Sequence, residues 1–164
     1  MTETATTFDV VVTRVFDAPV DRVWDAWRDP ERVKRWWGPT GFTCPVARMD
    51  FREGGTSLVC MRAPAEYGGM DIYSTWTYTT IVPHERFEYV FRFADQDGGT
   101  ITPAEAGIPG GVPEDGRHEV HFRQLPGGLT EMTMIEHGYT TAEARDMSRA
   151  GLEQTLDKLA ENVE

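Results

Sequence analysis

Residues 83–93, Pro-His-Glu-Arg-Phe-Glu-Tyr-Val-Phe-Arg-Phe, constrain this chain more than any other stretch. A proline-led turn runs into a segment with Phe87, Tyr89, Phe91 and Phe93 at alternate positions and Glu88, Val90 and Arg92 between them. Side chains alternate across a strand, so four aromatic rings fall on one side of a sheet. Four rings can wall a large apolar interior. No nucleophile motif, metal-ligand set or phosphate-binding loop accompanies them. No cofactor is therefore expected, and any chemistry belongs to a pocket.

The flanking pattern supplies the rest of that sheet. Residues 8–16 are β-branched and aromatic and read as a strand. Pro19 suits a first helical position, and Val20, Val23, Trp24 and Trp27 then share one helical face. Asp29-Pro30-Glu31 caps and opens a second short helix with Val33, Trp36 and Trp37 on its apolar side, and Gly38-Pro39 stops it. Trp36 and Trp37 cannot point the same way, so one packs inward and the other lies near the pocket mouth. Residues 45–52 and 56–63 read as strands joined at Gly54-Gly55, and 70–82 as a longer strand. A final hairpin pairs 118–125 with 129–137, and Thr140-Thr-Ala-Glu143 reads as the capping box of the longest helix. Gly151 in that helix implies a close approach by the sheet or a ligand. Strands in a run, with helices at the ends, predict an α+β fold in which about seven antiparallel strands wrap round the terminal helix. The space between them is the natural pocket. Residues 94–117 are rich in Gly, Pro, Asp and Glu and read as a long loop covering one end of it.

Composition narrows the partners. The 164 residues suit a single domain, structured over about 8–162. A net charge of −11 repels phosphate backbones and anionic lipid, so neither nucleic acid nor membrane is expected as a partner. Neither a signal peptide nor a membrane-length apolar run is present, which makes a cytoplasmic location the expectation. Cys44 and Cys60 have no metal spacing and are expected as reduced thiols.

A set of short motifs adds a family. They are Arg14-Val-Phe-Asp-Ala-Pro19, Val23-Trp-Asp-Ala-Trp27, Trp36-Trp-Gly-Pro39 and Met49-Asp-Phe-Arg-Glu-Gly-Gly55, followed by Ile81-Val-Pro-His-Glu-Arg86, Gly107-Ile-Pro109, Gly128-Leu-Thr-Glu-Met-Thr-Met134 and Gly151-Leu-Glu-Gln-Thr-Leu-Asp-Lys-Leu159. In this order, over roughly residues 8–162, they resemble the START-like (SRPBCC) superfamily with the helix-grip fold. Within it they resemble the family named after the heat-shock protein 90 ATPase activator. The resemblance implies a cavity; members of the superfamily bind lipids, sterols, polyketides or hormones, and some are cyclases. The cochaperone that gives the family its name works beside a second, client-binding region. This chain lacks that region, so a chaperone partner is not the leading expectation. Relatives often carry a charged pair where Thr79-Thr80 stands here, which implies a different ligand.

The leading expectation is a carrier or sensor that binds a small hydrophobic or amphipathic ligand. A small cyclase- or hydrolase-like enzyme and a chaperone-associated interaction protein are the alternatives, and a homodimer is compatible with all three. Candidate lining residues are Met49, Met61, Trp76, Tyr78, Tyr89, Phe91, His118, Phe122, Met134, Met147 and Leu152. Methionine adapts to varied apolar shapes, and tyrosine hydroxyls can orient a ligand. His118 shares strand parity with Val120 and Phe122 and so faces inward, whereas His121 and His137 face the other way. Glu136, in parity with Met132 and Met134, is the best inward carboxylate. His84 belongs to an exposed turn.

Overall fold

The structure is a computed structural model that describes residues 6–164. Seven strands form one antiparallel sheet: β1 (Phe8–Phe16), β2 (Thr43–Arg48), β3 (Thr56–Arg62), β4 (Asp71–Val82), β5 (Arg86–Ala94), β6 (Gly116–Leu125) and β7 (Leu129–Tyr139). Their order across the sheet is β1-β7-β6-β5-β4-β3-β2. Consecutive strands are neighbours except at one junction, where α1 (Val20–Arg28) and α2 (Pro30–Trp36) carry the chain from β1 at one edge to β2 at the other. The last element, α3 (Ala142–Val163), packs on β1, β7 and the two short helices. This is the helix-grip arrangement, an α+β fold in which a curved sheet holds a long C-terminal helix.

Local chemistry explains the boundaries. The Asp29 side chain accepts from the Glu31 amide, with Pro30 in the first turn of α2, where a missing N–H costs nothing. Pro19 stands one position earlier than expected, as the residue that precedes α1. The cap of α3 is Thr141 and not Thr140: its hydroxyl accepts from the Ala144 amide, which puts alanine at N3, so the reciprocal box expected at Thr140–Glu143 does not form and only its first half is made. The β2–β3 connection also differs from a two-glycine hairpin. β2 ends at Arg48, and residues 49–55 curl back so that the Asp50 amide donates to Ser57 Oγ at 3.0 Å. A Cβ on Gly55 would lie 2.3 Å from the Asp50 carbonyl oxygen, so that glycine serves a close backbone approach.

The concave face is filled unevenly. At one end Trp24 and Trp27 come down from α1 onto Phe87 and Phe122, Trp36 of α2 packs on Trp27, and Phe51, Tyr78 and Trp76 complete an aromatic cluster. Trp27 and Trp36 rings meet edge-on at 4.7 Å, and both are wholly buried. Their indole N–H groups are paired, Trp27 with Met132 Sδ and Trp36 with the Ala26 carbonyl. Leu156, Leu159 and Val163 of α3 close this region. Cys44 and Cys60 are free and buried, and burial raises both thiol pKa values.

Gly151 faces Pro39, and an added Cβ would sit 3.5 Å from Pro39 Cγ, an ordinary contact. No protein atom therefore makes a close approach there, and Gly151 also borders the cavity described below. Gly151→Ala is expected to raise stability by about 1 kcal/mol, the helix-interior cost of glycine. Urea denaturation of the two proteins measures it.

Candidate functional site

The other end of the concave face is hollow. A cavity of about 360 Å³ lies between the sheet, the first half of α3 and the 107–113 segment of the long loop. That volume lies within the range of small-molecule sites. Phe91 and Phe93 supply one wall and Met61 and Ile72 another. Ala144, Met147, Leu152 and Thr155 border it from α3. Met147 is 62 % exposed, which places it at the mouth. Ile108, Pro109, Val112 and Pro113 border it from the loop between β5 and β6. Hydrogen bonds within the loop order its base: the Thr102 hydroxyl accepts from the Glu105 amide, and the Glu105 carboxylate accepts from the Thr102 amide.

The stretch after α2 forms the remaining wall, with Trp37, Pro39 and Phe42. A single cation pins it. The Lys158 ammonium donates to the carbonyl oxygens of Gly38 and Phe42, each at 3.0 Å. Partial burial lowers the Lys158 pKa.

One row of polar side chains breaks this apolar lining: His118, Glu136, Tyr139 and Ser148. His118 and Glu136 are opposite each other on β6 and β7. His118 Nδ1 is 3.2 Å from the Tyr89 hydroxyl and 3.9 Å from Glu136 Oε2. Tyr139 donates to Glu136 Oε1 at 2.8 Å. With its one proton so placed, the Tyr139 oxygen accepts from Ser148 Oγ, also at 2.8 Å. Glu136 Oε2 and His118 Nε2 make no hydrogen bond among the described residues. Every fully occluded side-chain polar atom among them has a partner, so these two are reached from the cavity.

Burial governs their charge. It pushes the Glu136 carboxyl up to about 7 and the His118 imidazole down to about 3. The carboxylate's low-dielectric surroundings offer no cation, and the imidazole stays neutral. Burial likewise raises the Tyr89 and Tyr139 phenols.

Of the residues singled out in the sequence, Met61, Phe91, His118, Met147 and Leu152 border the cavity. Trp76, Tyr78, Tyr89, Phe122 and Met134 do not; they are buried in the packed core, Trp76 against Trp27 and Trp37, Tyr78 against Phe51, Tyr89 against Trp76 and Phe122 against Trp24. Met49 packs against the same core and also stands apart from the cavity. Trp36 is the inward member of its pair, and Trp37 borders the cavity. His121 and His137 share the outer-face carboxylate Glu119, and His137 also reaches Asp9. His84 is exposed, at φ +64°.

Tyr139 and Ser148 escaped sequence reasoning. Tyr139 is out of step with Glu136 on an ideal strand. β7 carries a bulge there: Val10 faces Glu136 while Phe8 faces Tyr139, so three steps on β7 match two on β1. Gly138, at φ +94°, absorbs the extra residue and turns Tyr139 inward. A lone glycine inside a strand pattern was the available signal.

Comparison with known proteins follows the same geometry. Residues 17–164 match the model of the family described as activator of Hsp90 ATPase homolog 1-like protein. The chain belongs to that family. An X-ray structure of a Chromobacterium violaceum protein is similar to this family member at 29% identity and TM-score 0.77, covering 95% of this chain and 96% of that one. A Mycobacterium smegmatis protein is similar at 25% identity and TM-score 0.72, over 94% and 87%. The AHSA1 protein of Silicibacter pomeroyi, at 18% identity, TM-score 0.70 and 94% and 96% coverage, shares the fold. No curated protein matches. No helix among the described residues is long and apolar enough to cross a membrane.

Proposed function

We propose that this protein binds a small, mostly apolar molecule with one polar group in the cavity, as a carrier or sensor. The observation that carries the reading is a chamber of about 360 Å³ with a mostly apolar lining and one row of polar side chains. Apolar walls supply affinity without direction, at roughly 25 cal/mol per Å² removed from water. A few placed polar groups then fix orientation. The superfamily's habit of holding hydrophobic guests supports it.

Native mass spectrometry of the purified protein tests this, followed by extraction and identification of what it carries. A defined small molecule at one per chain is the expected result. Leu152→Trp, which fills the chamber from α3, is expected to eliminate it while the protein stays folded. A wild-type protein that is consistently empty and binds no apolar compound would sink the reading.

A second reading rests on the opposite displacements of Glu136 and His118. A carboxyl near neutrality beside a neutral imidazole, both open to the cavity, is suited to general acid–base work. Under it, Glu136→Gln abolishes turnover of a substrate that the variant still binds.

A further inference from the structure

Glu136 presents an oxygen to the cavity with no cation opposite it. No lysine or arginine borders the chamber among the described residues, and the Lys158 ammonium is taken up by the carbonyls of Gly38 and Phe42. The groups that face Glu136 are His118 from β6, Tyr139 on its own strand and, beyond His118, Tyr89 from β5; Ser148 of α3 lies behind Tyr139. A neutral imidazole, two phenols and a hydroxyl leave the carboxylate without a counter-ion.

On the footing of the binding reading above, we propose that the guest is an apolar amine whose ammonium docks on Glu136 Oε2, and that this oxygen turns carboxylate amphiphiles such as fatty-acid anions away. The ammonium supplies the one charge that the site lacks, and folding has already removed Glu136 from water, so the complex need not desolvate it again. His118 Nε2 is the other side-chain polar atom of this row without a hydrogen-bond partner among the described residues. The tail lies against Phe91, Phe93, Ile108 and Leu152. A guest carboxylate would meet a like charge, and one of the two would have to take up a proton. An alcohol of the same length avoids that conflict but brings no counter-ion.

Isothermal titration calorimetry of the full chain with octylamine, octanol and octanoate separates these cases. The first titration is at about pH 8.5, above the value near 7 for Glu136 and below the ~10.4 of an alkylamine. Octylamine is expected to bind about tenfold or more tighter than octanol, and octanoate about tenfold or more weaker. Glu136→Gln, with folding checked by thermal melting, is expected to bring all three within about threefold of one another. Lowering the pH of the wild type to about 5.5 protonates Glu136 and is expected to shrink the amine's advantage in the same way.

Octanoate binding as tightly as octylamine overturns the proposal, and so does a ranking that survives in Glu136→Gln. If that variant fails to fold, an amine preference unchanged between the two pH values overturns it. Octanol binding without an amine preference removes the amine and leaves the cavity's binding role standing. If none of the three binds, the amine proposal falls, and the binding reading is decided by the native mass spectrometry above.

Discussion

Trp27→Ala is expected to cost about 3–5 kcal/mol of folding stability, a large share of the roughly 5–15 kcal/mol that holds a typical domain folded. The ring is wholly buried and contacts Trp36 at 4.7 Å, Phe87 at 5.3 Å and Trp76 at 6.1 Å. Its N–H donates to Met132 Sδ across the core. Truncation removes the area, opens a void lined by rigid rings and leaves neighbours that cannot collapse into it, since each is fixed by others. Chemical denaturation with far-ultraviolet circular dichroism measures the loss. A cost below about 1 kcal/mol would mean that the aromatic cluster is loosely packed and that the hollow extends along the whole face. The same truncation at Trp37, which is only partly buried and borders the cavity, is expected to cost less.

The second large effect concerns pH. Glu136 rises from 4.5 to about 7 on folding, so the folded state holds a proton that the unfolded chain has lost between those values. Stability from this group is complete below 4.5 and is lost as pH rises through 7, a change of about 3 kcal/mol. His118 runs the other way. Its value falls from 6.5 to about 3, so its contribution is complete above 6.5 and is lost as pH falls towards 3. Between 4.5 and 6.5 the two slopes oppose each other and nearly cancel. The wild type is therefore expected to show a flat stability profile there. Glu136→Gln removes one slope and exposes the other. The variant is expected to be more stable than wild type by about 3 kcal/mol near pH 8, with the gain shrinking to nothing near pH 4.5. Urea titrations at intervals across this range read both curves. A variant that is less stable at pH 8, with a deficit that does not change on acidification, would show that Glu136 is not held near neutrality by burial.

How far the sequence could lead is visible in the aromatic strand itself. Alternation put Phe87, Tyr89, Phe91 and Phe93 on one face, which is where they lie. What alternation cannot encode is position along the strand relative to the helices above it. Phe87 falls under the tryptophans of α1 and Tyr89 is stacked on Trp76 of β4, so both are sealed; Phe91 and Phe93 run out beyond them and face the chamber. Trp76, Tyr78, Phe122 and Met134 followed Phe87 into the packed end for the same reason. The inward turn of His118 and Glu136 was legible because both strands hold their pleat at those residues. Tyr139 was not, since one bulged residue reverses every later parity. The walls from 37–42 and 107–113 lie in irregular chain, where no period exists to read, and the Lys158 clasp joins residues far apart in sequence.

The division of the concave surface into a solid half and a hollow half has an evolutionary corollary. Rigidity resides under the tryptophans, while much of the chamber's border comes from a loop and from the opening turns of α3. Mutations that reshape the guest's berth leave the keystone untouched, so a lineage of such chains can drift among guests without first losing the scaffold.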